Sequence, residues 1–335
     1  MNRRDLVFAG AAALAGCAPT VQLAGSPGPG FSGPRLEGDV FVSFDGARLG
    51  LTRWAAPSGP TAVVVSLHGM NDYANAFHFA APVWAARGIA TYAFDQRGFG
   101  RSPGRGIWGG ETLMTEDLRL FVDLVKSRHP GVPVVVAGES MGGAVAIAAF
   151  ASDRPPAADR LVLMAPAVWG WSRQPLPYKT ALWFTAHLAG ETVLRPPGWV
   201  TDRVHPSDNY EELVAMGRDP LMIWGARNDT LYGLVDLMES AWAGIGRIAA
   251  PVGYFYGAHD EVIPKRPSFE AAGLLKSTDR TAYYANGYHL LMRDKQRAAV
   301  IADVAAFILD PTAPLVSGVP AMPRATLTPG RISGL

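Results

Sequence analysis

The segment Gly138-Glu139-Ser140-Met141-Gly142 constrains the fold of this chain more than any other stretch. Val132 to Ala137 precedes it as an apolar, β-branched run, and Met141-Gly142-Gly143-Ala144-Val145-Ala146 follows with small residues suited to a tightly packed helix. A serine between a buried strand and such a helix sits on a sharp turn that leaves no room for a Cβ on either side, so glycine flanks it. The turn holds the hydroxyl above the sheet edge. The helix N-terminus adds unpaired N–H groups and the positive end of a dipole, where an oxyanion would form.

The rest of the chain reads as the scaffold such a turn needs. Val40 to Phe44, the turn Asp45-Gly46 and Arg48 to Trp54 form a hairpin. Thr61 to Leu67, Ile89 to Phe94, Leu161 to Met164, Val252 to Tyr256 and Thr281 to Tyr284 read as buried strands. Helical spacing marks Phe77 to Arg87, Thr112 to Arg128, Met141 to Ala151 and Gln296 to Leu309. The alternation predicts an α/β fold, a mostly parallel central sheet with helices on both faces. Between Ala165 and Pro251 the strand pattern lapses, and Trp169, Trp171, Tyr178, Trp183 and Phe184 crowd in among prolines. About 168–227 is read as an inserted helical cap, within an α/β domain spanning 36–310.

A serine hydroxyl is a weak nucleophile at its own pKa and needs a base within hydrogen-bond reach. In a fold with a strand-to-helix serine turn the chain order is serine, acid, histidine. His289 lies in a loop after the last strand and before the closing helix, whereas His68, His78 and His129 precede the serine and His187 and His205 fall in the cap. Gly257-Ala258-His259-Asp260-Glu261 follows a strand, which makes Asp260 the acid that fixes the imidazole tautomer. Glu261 is expected to point away, and Asp229 is read as a surface or cap residue. The N–H groups of Met70, after the strand ending at Leu67, and Met141 are the candidate oxyanion hole. His68 and the loop Asp95 to Ser102 are read as structural. No metal-ligand spacing and no G-x-G-x-x-G after a strand is present, so no cofactor is implied.

The formal charge, +1 from 30 basic and 29 acidic residues, offers no basic face for nucleic acid and suits a small neutral or apolar partner. The single cysteine, Cys17, excludes an internal disulfide framework. It ends a short basic start and an apolar run too short to span a bilayer. Leu14-Ala15-Gly16-Cys17 resembles the bacterial lipoprotein signal, which implies a cleaved segment 1–16, a lipid attached at Cys17 and an envelope location. Ala18, where an aspartate would retain the protein at the inner membrane, favours the outer membrane. Asn2-Arg3-Arg4-Asp5-Leu6 is similar to a twin-arginine export signal, so the export route stays open. Residues 17–35, rich in Gly, Pro and Ser, read as a flexible tether, and 311–335 as a disordered tail.

Taken together, His68-Gly69-Met70, Asp95 to Ser102, Gly138 to Gly143, Arg218-Asp219-Pro220-Leu221, Gly257-Ala258-His259-Asp260 and Tyr288-His289 make the chain resemble the monoacylglycerol lipase and lysophospholipase branch of the α/β-hydrolases. The resemblance implies an α/β-hydrolase fold and hydrolysis of a carboxylic ester, a monoglyceride or lysophospholipid, at the membrane. Glu139 stands where relatives often carry histidine, and the cap matches least. An esterase for short-chain or xenobiotic esters, and a lipoprotein that keeps the fold only as a binding module, are the alternatives.

Overall fold

The computed structural model describes residues 18–196, 198 and 203–323. Cys17 and the leader before it lie outside the described residues, as does 324–335.

Nine strands form one sheet in the order β1-β2-β3-β5-β4-β6-β7-β10-β11. The edge β1 (Arg35–Glu37), β2 (Val40–Val42) and β3 (Arg48–Trp54) is antiparallel. The other six strands are mutually parallel: β4 (Ala62–Leu67), β5 (Ile89–Phe94), β6 (Val134–Glu139), β7 (Arg160–Met164), β10 (Val252–Gly257) and β11 (Arg280–Tyr284). A short ribbon, β8 (Val193–Leu194) with β9 (Ala226–Arg227), stands apart. The central strands are buried on both faces, and their side chains alternate between two cores. Val63, Val65, Val134 and Val136 pack under α2 (Glu111–Arg128), α3 (Met141–Phe150) and α6 (Asn228–Gly244). Val64, Val135, Ala137 and Val162 pack under α1 (Ala80–Ala85) and α8 (Arg297–Leu309), which the Trp84 indole N–H ties together through the Ile301 carbonyl at 3.1 Å. A period of two with both sets apolar is the mark of a strand covered on both sides.

The chain leaves β4 toward β5 on one side and returns to β6 on the other, so the crevice at the ends of β4 and β6 is a topological switch point, where ligands bind in such sheets. Between β7 and β10 lie a 3-10 turn at Trp171–Arg173, α4 (Leu176–Leu188), the ribbon, α5 (Tyr210–Arg218) and then α6. The helix α7 (Lys265–Gly273) joins β10 to β11.

Two expectations need correcting. The segment read as a tether is bound to the body over its described part. Gln22 N–H donates to the Trp108 carbonyl at 2.8 Å, its side-chain amide donates to the Ile107 carbonyl at 2.7 Å, and Gly25 N–H donates to Asp45 at 2.8 Å. Arg35–Glu37 even adds the edge strand. The tail is likewise packed through 323: Tyr283 N–H donates to the Pro320 carbonyl at 2.8 Å, and Met322 is buried. Gly- and Pro-rich composition reports the absence of regular secondary structure, and an irregular segment can still satisfy its backbone against a neighbour.

Candidate active site

Ser140 sits where β6 meets α3, partly exposed, with φ +51° and ψ −116°. This conformation is strained for a residue with a Cβ, and its neighbours enforce it. A Cβ on Gly138 would lie 2.5 Å from the Gly142 carbonyl oxygen, and one on Gly142 would lie 2.3 Å from that of Leu67. Both glycines are therefore obligatory. The same spacing recurs at Gly100-Arg101-Ser102-Pro103-Gly104, yet there Ser102 is buried and its hydroxyl donates to the Asp95 carbonyl. Strand and helix context, more than spacing, distinguishes Ser140.

The acid and histidine loops are brought together by another close backbone approach. A Cβ on Gly257 would fall 2.4 Å from the Gly287 carbonyl. His259 N–H donates to that carbonyl at 2.7 Å, and Ala258 N–H donates to Tyr284 at 2.8 Å. Asp260 Oδ1 accepts the N–H groups of Val262 and Ile263, each at 2.9 Å, and Oδ2 accepts His289 Nδ1–H at 2.9 Å. Donation from Nδ1 leaves Nε2 with its lone pair, the tautomer a general base needs. Burial alone would lower the pKa of His289. The charge and hydrogen bond of Asp260 outweigh it, and the pKa is raised above its ordinary value. Among the described residues, no hydrogen bond joins Ser140 Oγ to His289, a contact that in unliganded hydrolases often tightens only with substrate.

The loop after β4 closes on the serine, since a Cβ on Gly69 would meet that of Ser140 at 3.3 Å. Neither Met70 N–H nor Met141 N–H has an acceptor among the described residues, so both remain available to an oxyanion. His68 anchors this loop. Its Nε2 accepts the Gln96 N–H at 2.8 Å, so Nδ1 carries the proton and donates to the Gly69 carbonyl at 2.7 Å. Full burial lowers its pKa and keeps it neutral. The Asp95 loop is also a fixing network: Asp95 holds Arg101 at 2.7 Å and the Ala74 N–H at 2.9 Å. Arg97 spans Asp45 and Asp117 at 2.8 and 2.6 Å.

The acid competitors lie elsewhere. Glu261 accepts the His205 N–H at 2.9 Å. Of the two readings given to Asp229, surface or cap, the surface one fails: it is fully buried at the start of α6, its N–H donates to the Gly190 carbonyl at 3.0 Å and its carboxylate pairs with Arg227 at 2.6 Å, a charge seated at a helix N-terminus. Sequence reasoning missed the buried ionic cluster beside the serine. Arg293 pairs with Asp72 at 2.7 Å and Glu139 at 3.1 Å, and these carboxylates hold it protonated despite full burial. Arg293-Asp294-Lys295 resembles an ordinary solvated charge run, so the sequence carried little signal for it. A polar pocket opens past this cluster, lined in part by Asp72, Tyr73, His78, Glu212, Asp219 and Arg293.

The family model Hydrolase_4, described as serine aminopeptidase, S33, matches residues 58–296. A monoacylglycerol lipase from Mycolicibacterium smegmatis is 27% identical over 284 residues, covering 80% of this chain and 95% of that protein. The monoglyceride lipase of Homo sapiens is 25% identical over 257 residues, 76% of this chain and 83% of its own. A soluble variant of the monoglyceride lipase of Saccharomyces cerevisiae, solved with a substrate analog, superposes with a TM-score of 0.69 over 86% of this chain and 100% of that one, at 18% identity. A thermostable carboxyl esterase from Bacillus coagulans gives 0.68 over 82% of this chain and 98% of that one, at 19% identity. At those identities the structural matches speak for the α/β-hydrolase fold.

Proposed function

The chain belongs to the Hydrolase_4 family of serine hydrolases, and from that premise we propose that it hydrolyses carboxylic esters of fatty acids, a monoacylglycerol or lysophospholipid, through an acyl-enzyme. The observation that carries the reading is the Asp260–His289 pair at 2.9 Å, in the loops beside a serine held at φ +51°. Ser140 Oγ attacks the ester carbonyl as His289 Nε2 takes its proton. The oxyanion is met by the N–H groups of Met70 and Met141. The imidazolium, stabilised by Asp260, then protonates the leaving alkoxide, and water repeats the sequence on the acyl-enzyme.

The relatives named as lipases support the ester reading over the peptidase in the family's description. A peptide amino terminus would need a carboxylate without a partner near the serine. In the polar pocket Asp72 is held by Arg293, Asp219 accepts the Tyr73 hydroxyl at 2.7 Å, and Glu212 lies 3.6 Å from His78. The lipid reading extends to the chain's start: Cys17, as the lipidated first residue of the mature protein, would hold the domain at the envelope membrane, in agreement with an apolar substrate.

The test uses wild type and Ser140→Ala against p-nitrophenyl esters of two to sixteen carbons, monoacylglycerol, lysophospholipid and an aminoacyl p-nitroanilide. Turnover that peaks on long acyl chains and disappears in the variant is expected. A peak on acetyl esters would make the protein a short-chain esterase, and silence toward esters and fluorophosphonate would leave a binding module. Incorporation of a labelled fatty acid that disappears in Cys17→Ala is the outcome expected of the anchor.

A further inference from the structure

A second, widely open cleft of about 440 Å³ lies between α4, α6 and the turn at Trp171–Arg173, lined by Trp171, Lys179, Thr180, Trp183, Tyr232 and Asp236. That volume falls within the range of small-molecule sites. Its walls are a continuous aromatic chain. Trp171 and Tyr232 lie 5.1 Å apart, His187 meets Tyr232 edge-on at 5.3 Å, and Trp183 stacks on His187 at 4.2 Å. The Trp171 indole N–H donates to Asp236 Oδ1 at 2.5 Å, which fixes both groups and leaves Oδ2 without a partner among the described residues. The Lys179 ammonium also has no partner among the described residues. Although it shares the cleft with Asp236, the two form no ion pair within 4.0 Å.

Several aromatic faces with one carboxylate suit an alkylammonium, which is drawn to the ring quadrupoles and to the negative charge together. A separate cation in the same cleft suits a phosphate, and the two poles are carried on different helices. Around the cleft α4 exposes Leu176, Tyr178, Phe184 and Leu188 to solvent, an apolar rim suited to the region just beneath the head groups of a bilayer. We propose that this cleft binds the zwitterionic head group of a membrane phospholipid, its ammonium between Trp171, Trp183 and Tyr232 against Asp236 and its phosphodiester against Lys179. The occupant is a lipid of the surface on which the protein works and need not be its substrate, so the site stands or falls apart from the hydrolytic reading. Partial desolvation by its neighbours raises the Asp236 carboxyl above its ordinary pKa despite the Trp171 hydrogen bond, and an incoming ammonium would favour its ionised form.

The test titrates the full chain calorimetrically with glycerophosphocholine and glycerophosphoethanolamine, with choline chloride and inorganic phosphate as half-ligands. Wild type is expected to bind the zwitterions more tightly than either half. Asp236→Asn and Trp183→Ala should weaken the zwitterions and choline about tenfold, the loss of one good cation–π or charge contact. Lys179→Met should weaken the zwitterions and phosphate while sparing choline. All three positions are at or near the surface, and unchanged thermal unfolding would show that the variants are folded. Zwitterion binding that all three variants leave untouched, or none in wild type, overturns the proposal. Discs of zwitterionic and anionic phospholipid then decide the source: the full chain should prefer the zwitterionic discs, and Lys179→Met/Asp236→Asn should abolish the preference. A preference that survives in the double variant overturns the lipid assignment.

Discussion

Two neighbouring helices, α4 and α6, are comparably apolar in sequence and differ sharply in what they bury. α6 inserts Leu234, Val235, Leu237, Met238 and Ala241 against the body, where it packs on α3 directly behind the nucleophile turn. α4 packs against α6 and buries only Ala186, leaving Leu176 and Leu188 at 70% and 75% exposure. Each large apolar side chain taken from water contributes roughly 1.5–3 kcal/mol, so α6 is fastened to the body several times over and α4 hardly at all. The body is thus rigid where it must hold a strained serine. The outer helix, free of core duties, leaves its apolar side chains in solvent.

Substitutions in the two regions should therefore fail in different ways. The largest effect expected is on chemistry in the body: Ser140→Ala or His289→Ala should reduce kcat/KM by about 10⁴-fold or more with unfolding unchanged, and Asp260→Asn by about 10⁴-fold because the wrong tautomer is then held. Residual turnover within tenfold of wild type in a steady-state ester assay would unseat these assignments. Next, Arg97→Met should destabilise by about 3–5 kcal/mol in urea denaturation, since it strands Asp45 and Asp117 in the core without their cation. Leu237→Ala, at a fully buried position of α6, should cost about 2–5 kcal/mol. Leu188→Ala on α4 should stay within about 0.5 kcal/mol. Equal losses at the two leucines would erase the contrast.

A smaller effect belongs to the bound N-terminal segment. A protein beginning at Ser32 loses the Gln22 and Gly25 hydrogen bonds and should be about 1–3 kcal/mol less stable than one beginning at Ala18, by the same denaturation measurement. The smallest is a matter of pH. Because Asp260 raises the pKa of His289 and the base must be neutral to act, the acid limb of kcat/KM should lie above the 6.5 of an ordinary histidine. The charge of Glu139 adds to this, so Glu139→Gln should move that limb toward lower pH. The stability that protonated His289 contributes is complete below its unfolded pKa and fades as pH rises through the folded one. Asp45 acts in the other direction. Burial would raise its carboxyl, but hydrogen bonding to Arg97 lowers it to about 2, so its contribution holds above the ordinary 3.8 and is lost as pH falls toward 2.

Much of the site was legible because its parts are local. The strand-to-helix serine turn at 138–142, the strand ending before Asp260 and the loop bearing His289 each announce themselves within about ten residues. The strands that were expected fell within two residues of their bounds, since a segment buried on both faces has to be apolar throughout, whereas the short β1, β8 and β9 were not foreseen. Asp229, Arg293 and the segment 18–32 were not legible. A carboxylate, a guanidinium or a Gly- and Pro-rich stretch looks the same in sequence whether water or a partner from a distant segment satisfies it.

The sequence by itself determined the α/β alternation, the strained serine turn and the loops that carry Asp260 and His289, because backbone sterics and hydrophobic periodicity act over short stretches of chain. Only the tertiary structure decided which charges are buried, that Arg293 reaches Asp72 and Glu139 from more than 150 residues away, and that α4 keeps its apolar face in solvent. Burial and pairing are properties of what surrounds a side chain, and those surroundings come from parts of the chain that only folding brings together.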